Sequence, residues 1–301
     1  METNSIFSLS HDEFMSLNSN EISNICKKEN IDTIYFPIDG TRTFYELFNK
    51  KGIAEWDNNL MDDYLELTRN AMIDQFTMFY DHGIKNLIVL AMDGSAFNRD
   101  SIYLDKIIKG GLIPVIEHPD YLKFYKELNI RVIFSGFNHL YDEYSHGYIL
   151  DKMQELEEET KNNSRRRIFI HTGKSINEDP LELARIINKK FIKFPTSEEI
   201  ILELYKYPLR KVNLTIWYGQ PRDKLFPLLI IENSARFYME NPSLSLTREQ
   251  LVNALYSTIL LNHTHLDRFR RTINNKAEKK KIYSTIKTLI GTNTQSKVNG
   301  E

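Results

Sequence analysis

Cysteine is almost absent from this chain. Only Cys26, one residue in 301, carries a thiol, so no intramolecular disulfide can form. That composition fits a reducing compartment. Charge of one sign is not in excess either. With a net charge of −2, nothing global attracts nucleic acid or an anionic membrane. Long apolar runs are also missing, because charges interrupt every hydrophobic stretch well before the roughly 18 residues of a spanning helix. The opening residues, METNSIFSLSHDEF, lack the basic start and apolar block of a secretory signal. No repeat or low-complexity linker interrupts residues 1–265. These absences exclude a disulfide scaffold and a spanning protein. They set the expectation of a cytoplasmic globular protein with no nucleic-acid partner.

Hydrophobic residues make up 41% of the sequence, enough for a sizeable core in one large α/β domain or two small ones. The 16 Tyr and 17 Phe suit an aromatic-rich core ahead of a hydrophobic ligand cavity.

Short β-type runs alternate with longer helical patterns. Strands are expected at Thr33–Ile38, Asn86–Met92, Arg131–Ser135, Arg167–His171 and Val212–Tyr218, with Leu228–Ile231 a candidate sixth. They are dense in Val, Ile, Leu and Phe with little polar alternation, as in a parallel sheet covered on both faces. Leu60, Tyr64, Leu67, Ala71, Phe76 and Phe79 fall near one face of a long helix that stops at His82-Gly83. Further helices are expected over Pro119–Leu128, Gly147–Thr160, from Asp179-Pro180, from Thr196, and over Thr247–Leu261. This order predicts an α/β fold: a single domain with a mainly parallel central sheet flanked by helices. Residues 266–301 read as a basic C-terminal helix and tail.

Three loops after strands carry candidate chemistry. The first is Asp39-Gly40-Thr41-Arg42. Ligands of open α/β sheets gather beyond the carboxyl ends of strands. There, Gly40 lets backbone approach a ligand, and a helix starting at Thr41 would aim free N–H groups at phosphate. Arg42 can grip phosphate oxygens in a fork, and Asp39 can hold Mg²⁺. A plain strand-end turn closed by an Asp–Arg pair fits the tetrapeptide equally well. The second loop holds Asp93, Asn98 and Arg99, with Tyr103 one turn beyond. It shares a cleft with the first if the two strands are neighbours. The third, His171 to Ser175, is HTGKS, but Ile168 stands where a phosphate loop needs its first glycine, so nucleotide binding is rejected. His263 and His265 lack metal-ligating partners nearby in sequence and read as surface residues.

Together these segments resemble the cis-prenyltransferase (undecaprenyl-diphosphate-synthase-like) family. The resemblance rests on DGTRTF after the first strand, GIKNLIVLAMDGSAFNR around the second, and GQPRDKLFPL at Gly219–Leu228. FPIDGTRTFY, DDYLELTRNAMIDQFTMFYDHGI and FYKELNIRVIFSG bring it closer to a divergent branch typified by tuberculosinyl adenosine transferase. Ala96 stands where chain elongation needs Asn, Gln220 where it needs Glu, and Ile216 where an Arg belongs. These departures argue against the alternative of an elongating enzyme that adds isopentenyl diphosphate. A non-catalytic partner subunit of the same fold is the other alternative.

The branch implies an enzyme that ionises an allylic or cyclic prenyl diphosphate (C10–C20) and lets a nucleophile or water capture the cation. It implies Asp39, Tyr64 and Tyr103 as catalytic residues. It implies Gly40, Thr41, Arg42, Asp93, Asn98, Arg99 and Arg222 as substrate-binding residues, Asp39 as the Mg²⁺ ligand, and a homodimer. Thr43 replaces the second arginine of the family's pair, and Gly94, Ser95 and Asn98 replace an acidic cluster. Without the resemblance, Tyr64 reads as a core aromatic.

Overall fold

The structure is a computed structural model. It describes residues 9–48, 58–99, 101–136, 141, 146–173, 180–219, 228–231 and 234–270, with the backbone alone described at 58–60, Tyr103, 228–229 and 261–270. Two short helices, α1 (His11–Ser16) and α2 (Ser19–Lys28), lead into β1 (Thr33–Tyr35), α3 (Thr41–Phe48), α4 (Asn58–Asp81) and β2 (Asn86–Asp93). A 3-10 turn (Gly94–Asn98) precedes α5 (Ser101–Ile107), α6 (Ile113–Glu117), α7 (Pro119–Glu127) and β3 (Ile130–Ser135). Then come α8 (Tyr148–Thr160), β4 (Arg166–Gly173), α9 (Pro180–Lys190), α10 (Ser197–Tyr205) and β5 (Leu214–Tyr218). The chain closes with α11 (Leu228–Ile231), β6 (Ala235–Met239) and α12 (Arg248–Arg270).

All six strands form one parallel sheet in the order β3-β4-β2-β1-β5-β6. The expected fold class is therefore the observed one. One element is corrected. Leu228–Ile231 is helix α11, and the sixth strand is Ala235–Met239, next to β5. Four apolar residues in a row serve a buried helical turn as readily as a strand. Here Ile230 and Ile231 cover the sheet, while ARFYM, with polar and aromatic residues mixed, takes the half-exposed edge.

Side chains alternate across the sheet, as strand geometry requires. Ile34, Leu87, Val89, Val132, Ile168 and Leu214 meet one hydrophobic layer, built with Phe76 and Phe79 of α4, Phe124 of α7 and Leu255 of α12. Tyr35, Ile88, Ile133, Phe169 and Trp217 meet the other, built with Ile201 and Tyr205 of α10. Each fully buried side chain of this size contributes about 1.5–3 kcal/mol. The two layers thus hold the strands in place, and the loops at their carboxyl ends are free to carry chemistry. No helix among the described residues is long and apolar enough to cross a membrane.

Candidate active site

Strand order decides where a ligand crevice opens. From β1 the chain crosses to β2 on one side, and from β5 it crosses to β6 on the other. Neighbouring strands whose connections leave in opposite directions create a crevice beyond their carboxyl ends. The Asp39 turn stands there. β1 ends at Tyr35, but its ladder continues: the Phe36 N–H donates to the Ile88 carbonyl at 2.8 Å, and the Ile38 N–H to that of Leu90 at 3.2 Å. Asp39 is therefore delivered to the rim by paired backbone.

Its backbone is clamped from below. The Asp39 N–H donates to Ser243 Oγ at 3.0 Å, while the Ser243 hydroxyl and N–H donate to the Asp39 carbonyl at 2.7 and 3.2 Å. Ser243 is buried, in the short turn after β6. The carboxylate oxygen Oδ1 accepts the Gly40 N–H at 2.8 Å.

Gly40 has φ +72° and lies against the end of β5, where an added Cβ would sit 2.5 Å from Cε1 of Tyr218. That conformation and that contact both require glycine. α3 starts immediately afterwards, at Thr41. The hydroxyls of Thr41 and Tyr64 are 2.7 Å apart, which ties the first turn of α3 to the long helix α4. Tyr64 also meets the buried ring of Tyr45 edge-on, with centroids 5.6 Å apart. Arg42 is exposed in the same first turn of α3.

β2 neighbours β1, so the second loop leaves the same edge. Asp93 caps the 3-10 turn by accepting the Ser95 N–H at 2.9 Å. Asn98 and Arg99 are exposed at its far end, with the Arg99 N–H donating to the Ala96 carbonyl. Tyr103 lies on α5, which places its backbone beyond that turn. Arg222 lies outside the described residues, as do Gln220, Lys174, Ser175, residues 271–301, and the side chains of Tyr103, His263 and His265.

Two solved structures share this fold. The lavandulyl diphosphate synthase of Lavandula x intermedia, in complex with dimethylallyl diphosphate, aligns with a TM-score of 0.61 and 16% identity. That match covers 77% of this chain and 96% of the synthase. A probable undecaprenyl diphosphate synthase from Campylobacter jejuni aligns at 0.52 with 18% identity, covering 64% of this chain and 88% of the other. The chain has the undecaprenyl-diphosphate-synthase fold. In sequence it is similar to the tuberculosinyl adenosine transferase of Mycobacterium tuberculosis (strain CDC 1551 / Oshkosh), 25% identical over 258 residues, which is 85% of this chain and 84% of the relative. No protein-family model matches it.

The undecaprenyl-diphosphate-synthase fold brings a further residue to the rim that sequence reasoning assigned to a rejected loop. His171 lies near the carboxyl end of β4, and its Nδ1 is 3.4 Å from Ser135 Oγ on β3. Its Nε2 is buried without a hydrogen-bond partner. Burial pushes the imidazole down to about 4, against a smaller opposing pull from Asp93. The ring is thus neutral in the folded protein at neutral pH. Between its ordinary pKa near 6.5 and about 4, the unfolded chain takes up a proton that the folded chain refuses, so stability falls as pH drops through that window. The expected loss is at most about 3 kcal/mol. Urea unfolding at pH 7 and 4.5 checks it. His171→Asn should flatten most of this fall, and equal slopes in variant and wild type would discount the buried imidazole.

Ser243 and Tyr218 were also missed. They meet the Asp39 turn from about 180–200 residues away, and nothing local in SLSL or IWYG marks that contact.

Proposed function

We propose that this protein is an enzyme that ionises an allylic or cyclic prenyl diphosphate and lets a nucleophile or water capture the cation. The observation that carries this reading is the Asp39-Gly40-Thr41 turn, clamped by Ser243 and tied to Tyr64 at the mouth of the β1–β5 crevice. The similar curated protein is, by its name, a terpenyl transferase to adenosine, and the similar synthase structure holds dimethylallyl diphosphate.

The carbon–oxygen bond of the substrate breaks with its electron pair leaving on the diphosphate. Arg42 and the free N–H groups at the start of α3 stabilise that growing negative charge. Arg99 and Asn98 add contacts from the neighbouring loop, and Arg222 completes the family's set. The ring faces of Tyr64 and Tyr103 stabilise the carbocation, each by about 2 kcal/mol when desolvated. The acceptor then forms the new bond to carbon, and Asp39 or a tyrosine hydroxyl orients it and takes its proton.

No cluster of three or more metal-ligating side chains exists among the described residues. Mg²⁺ does not need one here, since it is commonly held by one or two carboxylates plus substrate phosphates. Asp39 would hold it, and when bound it would neutralise diphosphate charge. We place the enzyme in the cytoplasm as a homodimer, with residues 1–265 as the catalytic domain.

Incubating the full chain with C10, C15 and C20 diphosphates, with and without adenosine, and analysing products by mass spectrometry tests the reading. Diphosphate release with a prenyl alcohol or adenosine adduct is expected. Release only when isopentenyl diphosphate is added would favour chain elongation. No release from any substrate would leave a non-catalytic subunit.

A further inference from the structure

Three polar side chains stand together where β3, β4 and β2 end, beginning one strand over from the Asp39 turn. Register puts them on one face. His171 of β4 pairs with Ser135 of β3, so both point to the side that Phe169 and Ile133 occupy two residues earlier. A regular β2 would turn Asp93 to the opposite side, but β2 carries an extra residue. Its pairing shifts between Leu90 and Met92, so Asp93 falls opposite Gly173. Gly173 is two residues beyond His171, which returns Asp93 to the imidazole's side. Bulges are rare in parallel ladders and gather next to active sites, where they re-aim a side chain. The extra residue, Ala91, is exposed although β2 lies inside the sheet, so the surface beside it is open.

The cluster has unused hydrogen-bonding capacity. Nδ1 of His171 faces the Ser135 hydroxyl at 3.4 Å. Part of the ring is exposed, but Nε2 is buried with no partner among the described residues. Asp93 uses one oxygen, Oδ1, for both the N–H and the hydroxyl of Ser95. A buried polar atom left empty costs free energy, and native proteins fill nearly all of them.

We propose that Ser135, His171 and Asp93 form the subsite for the acceptor, and that it takes an uncharged molecule with O–H or N–H hydrogens. This deepens the proposed reaction and rests on it. With Nδ1–H directed at Ser135, the Nε2 lone pair accepts one hydrogen of the acceptor. The acceptor's lone pair then forms the bond to the cation, and a second hydrogen leaves as a proton to Asp39 or a tyrosine hydroxyl. Water and an uncharged amino group both carry two such hydrogens. Charge sets the limit. The imidazole is neutral and its neighbour is a carboxylate, so the cluster repels an anion, a second diphosphate included.

Trapping during turnover by the full chain tests it. C15 and C20 diphosphates are incubated with azide, an anionic nucleophile, or with hydroxylamine, neutral at the assay pH, and the products are identified by mass spectrometry. Wild type should give prenyl alcohol and no prenyl azide. Alcohol alone would assign the subsite to water, and a hydroxylamine adduct to amino acceptors as well; either supports the proposal. Asp93→Asn keeps an oxygen for Ser95 and should admit azide. His171→Leu should lower the ratio of alcohol to diene about tenfold or more, because an uncaptured cation loses a proton instead. His171→Gln returns a hydrogen-bond acceptor near the place of Nε2 and should restore the ratio. A merely structural histidine would change stability and leave the ratio alone. Prenyl azide from wild type would overturn the proposal, as would exclusion of azide by Asp93→Asn or an unchanged ratio in His171→Leu. The azide comparison needs no change at His171, so it decides even if His171→Leu fails to fold. Absence of diphosphate release from wild type would instead remove the underlying reaction, and this subsite with it.

Discussion

Asp39→Asn should abolish turnover and leave the fold intact. The side chain stays the same size, and the amide oxygen can still accept the Gly40 N–H that Oδ1 accepts at 2.8 Å. The backbone clamp from Ser243 uses only main-chain atoms of residue 39, so it survives the change. The negative charge is what disappears, and with it the capacity to hold Mg²⁺ or take the proton of an acceptor. Loss of one group that stabilises a developing charge typically costs 10²–10³ in rate. Asp39 is asked to serve both the leaving group and the acceptor, so a fall of about 10³ or more in kcat is expected, about 4 kcal/mol in the barrier. Diphosphate release and the thermal midpoint should be measured on the same preparation. Activity within tenfold of wild type, at an unchanged midpoint, would remove Asp39 from the chemistry.

The sheet was legible in the sequence because buried parallel strands write themselves as continuous apolar runs. Asn86–Met92 and Arg131–Ser135 sit within a residue of the observed strands. Strand β1 came out shorter than expected, Thr33–Tyr35 rather than Thr33–Ile38, because Pro37 has no N–H to continue a regular ladder. Leu228–Ile231 was misassigned because a four-residue apolar run has no period to read. The edge strand β6 was missed because exposure leaves ARFYM without an apolar signature.

Legibility at the site follows the same logic. Asp39, Gly40, Thr41 and Arg42 are contiguous, so their shared placement could be read directly. Tyr64 was assigned to the site through resemblance alone, and its hydroxyl contact with Thr41, 23 residues away, has no local sequence signal. Ser243, 204 residues from Asp39, emerges only once β6 is laid beside β5. His171 was weighed only as part of the HTGKS segment, whose reading as a phosphate loop was rejected. Its burial depends on β3 packing beside β4, which no local pattern announces.

Gly136→Ala should be the most destabilising small substitution on this rim. Gly136 follows β3 with φ +107°, a conformation that side chains rarely adopt. An added Cβ would lie 2.2 Å from the carbonyl oxygen of Thr172 and 3.2 Å from Cε1 of His171. The close atom is backbone in an interior strand, at a residue held by pairing with Met92 of β2. It cannot swing aside as a side chain could. Strain in φ costs about 1–3 kcal/mol and forced overpacking about as much again. A loss of roughly 4 kcal/mol follows, equivalent to a fall of about 10 °C in thermal midpoint for a domain of this size. Gly111→Ala is the control, because a Cβ there meets nothing within 4 Å. It should leave the midpoint level or raise it by the few tenths of a kcal/mol that a stiffer unfolded chain gives. The damage at Gly136 should also reach the site. Relieving the clash means parting β3 from β4, which opens the contact between Ser135 and His171 and exposes the imidazole. The variant should therefore lose the acid-side fall in stability assigned to His171, so the two effects must appear together. A midpoint within 2 °C of wild type would show that the turn after β3 does not lie against Thr172.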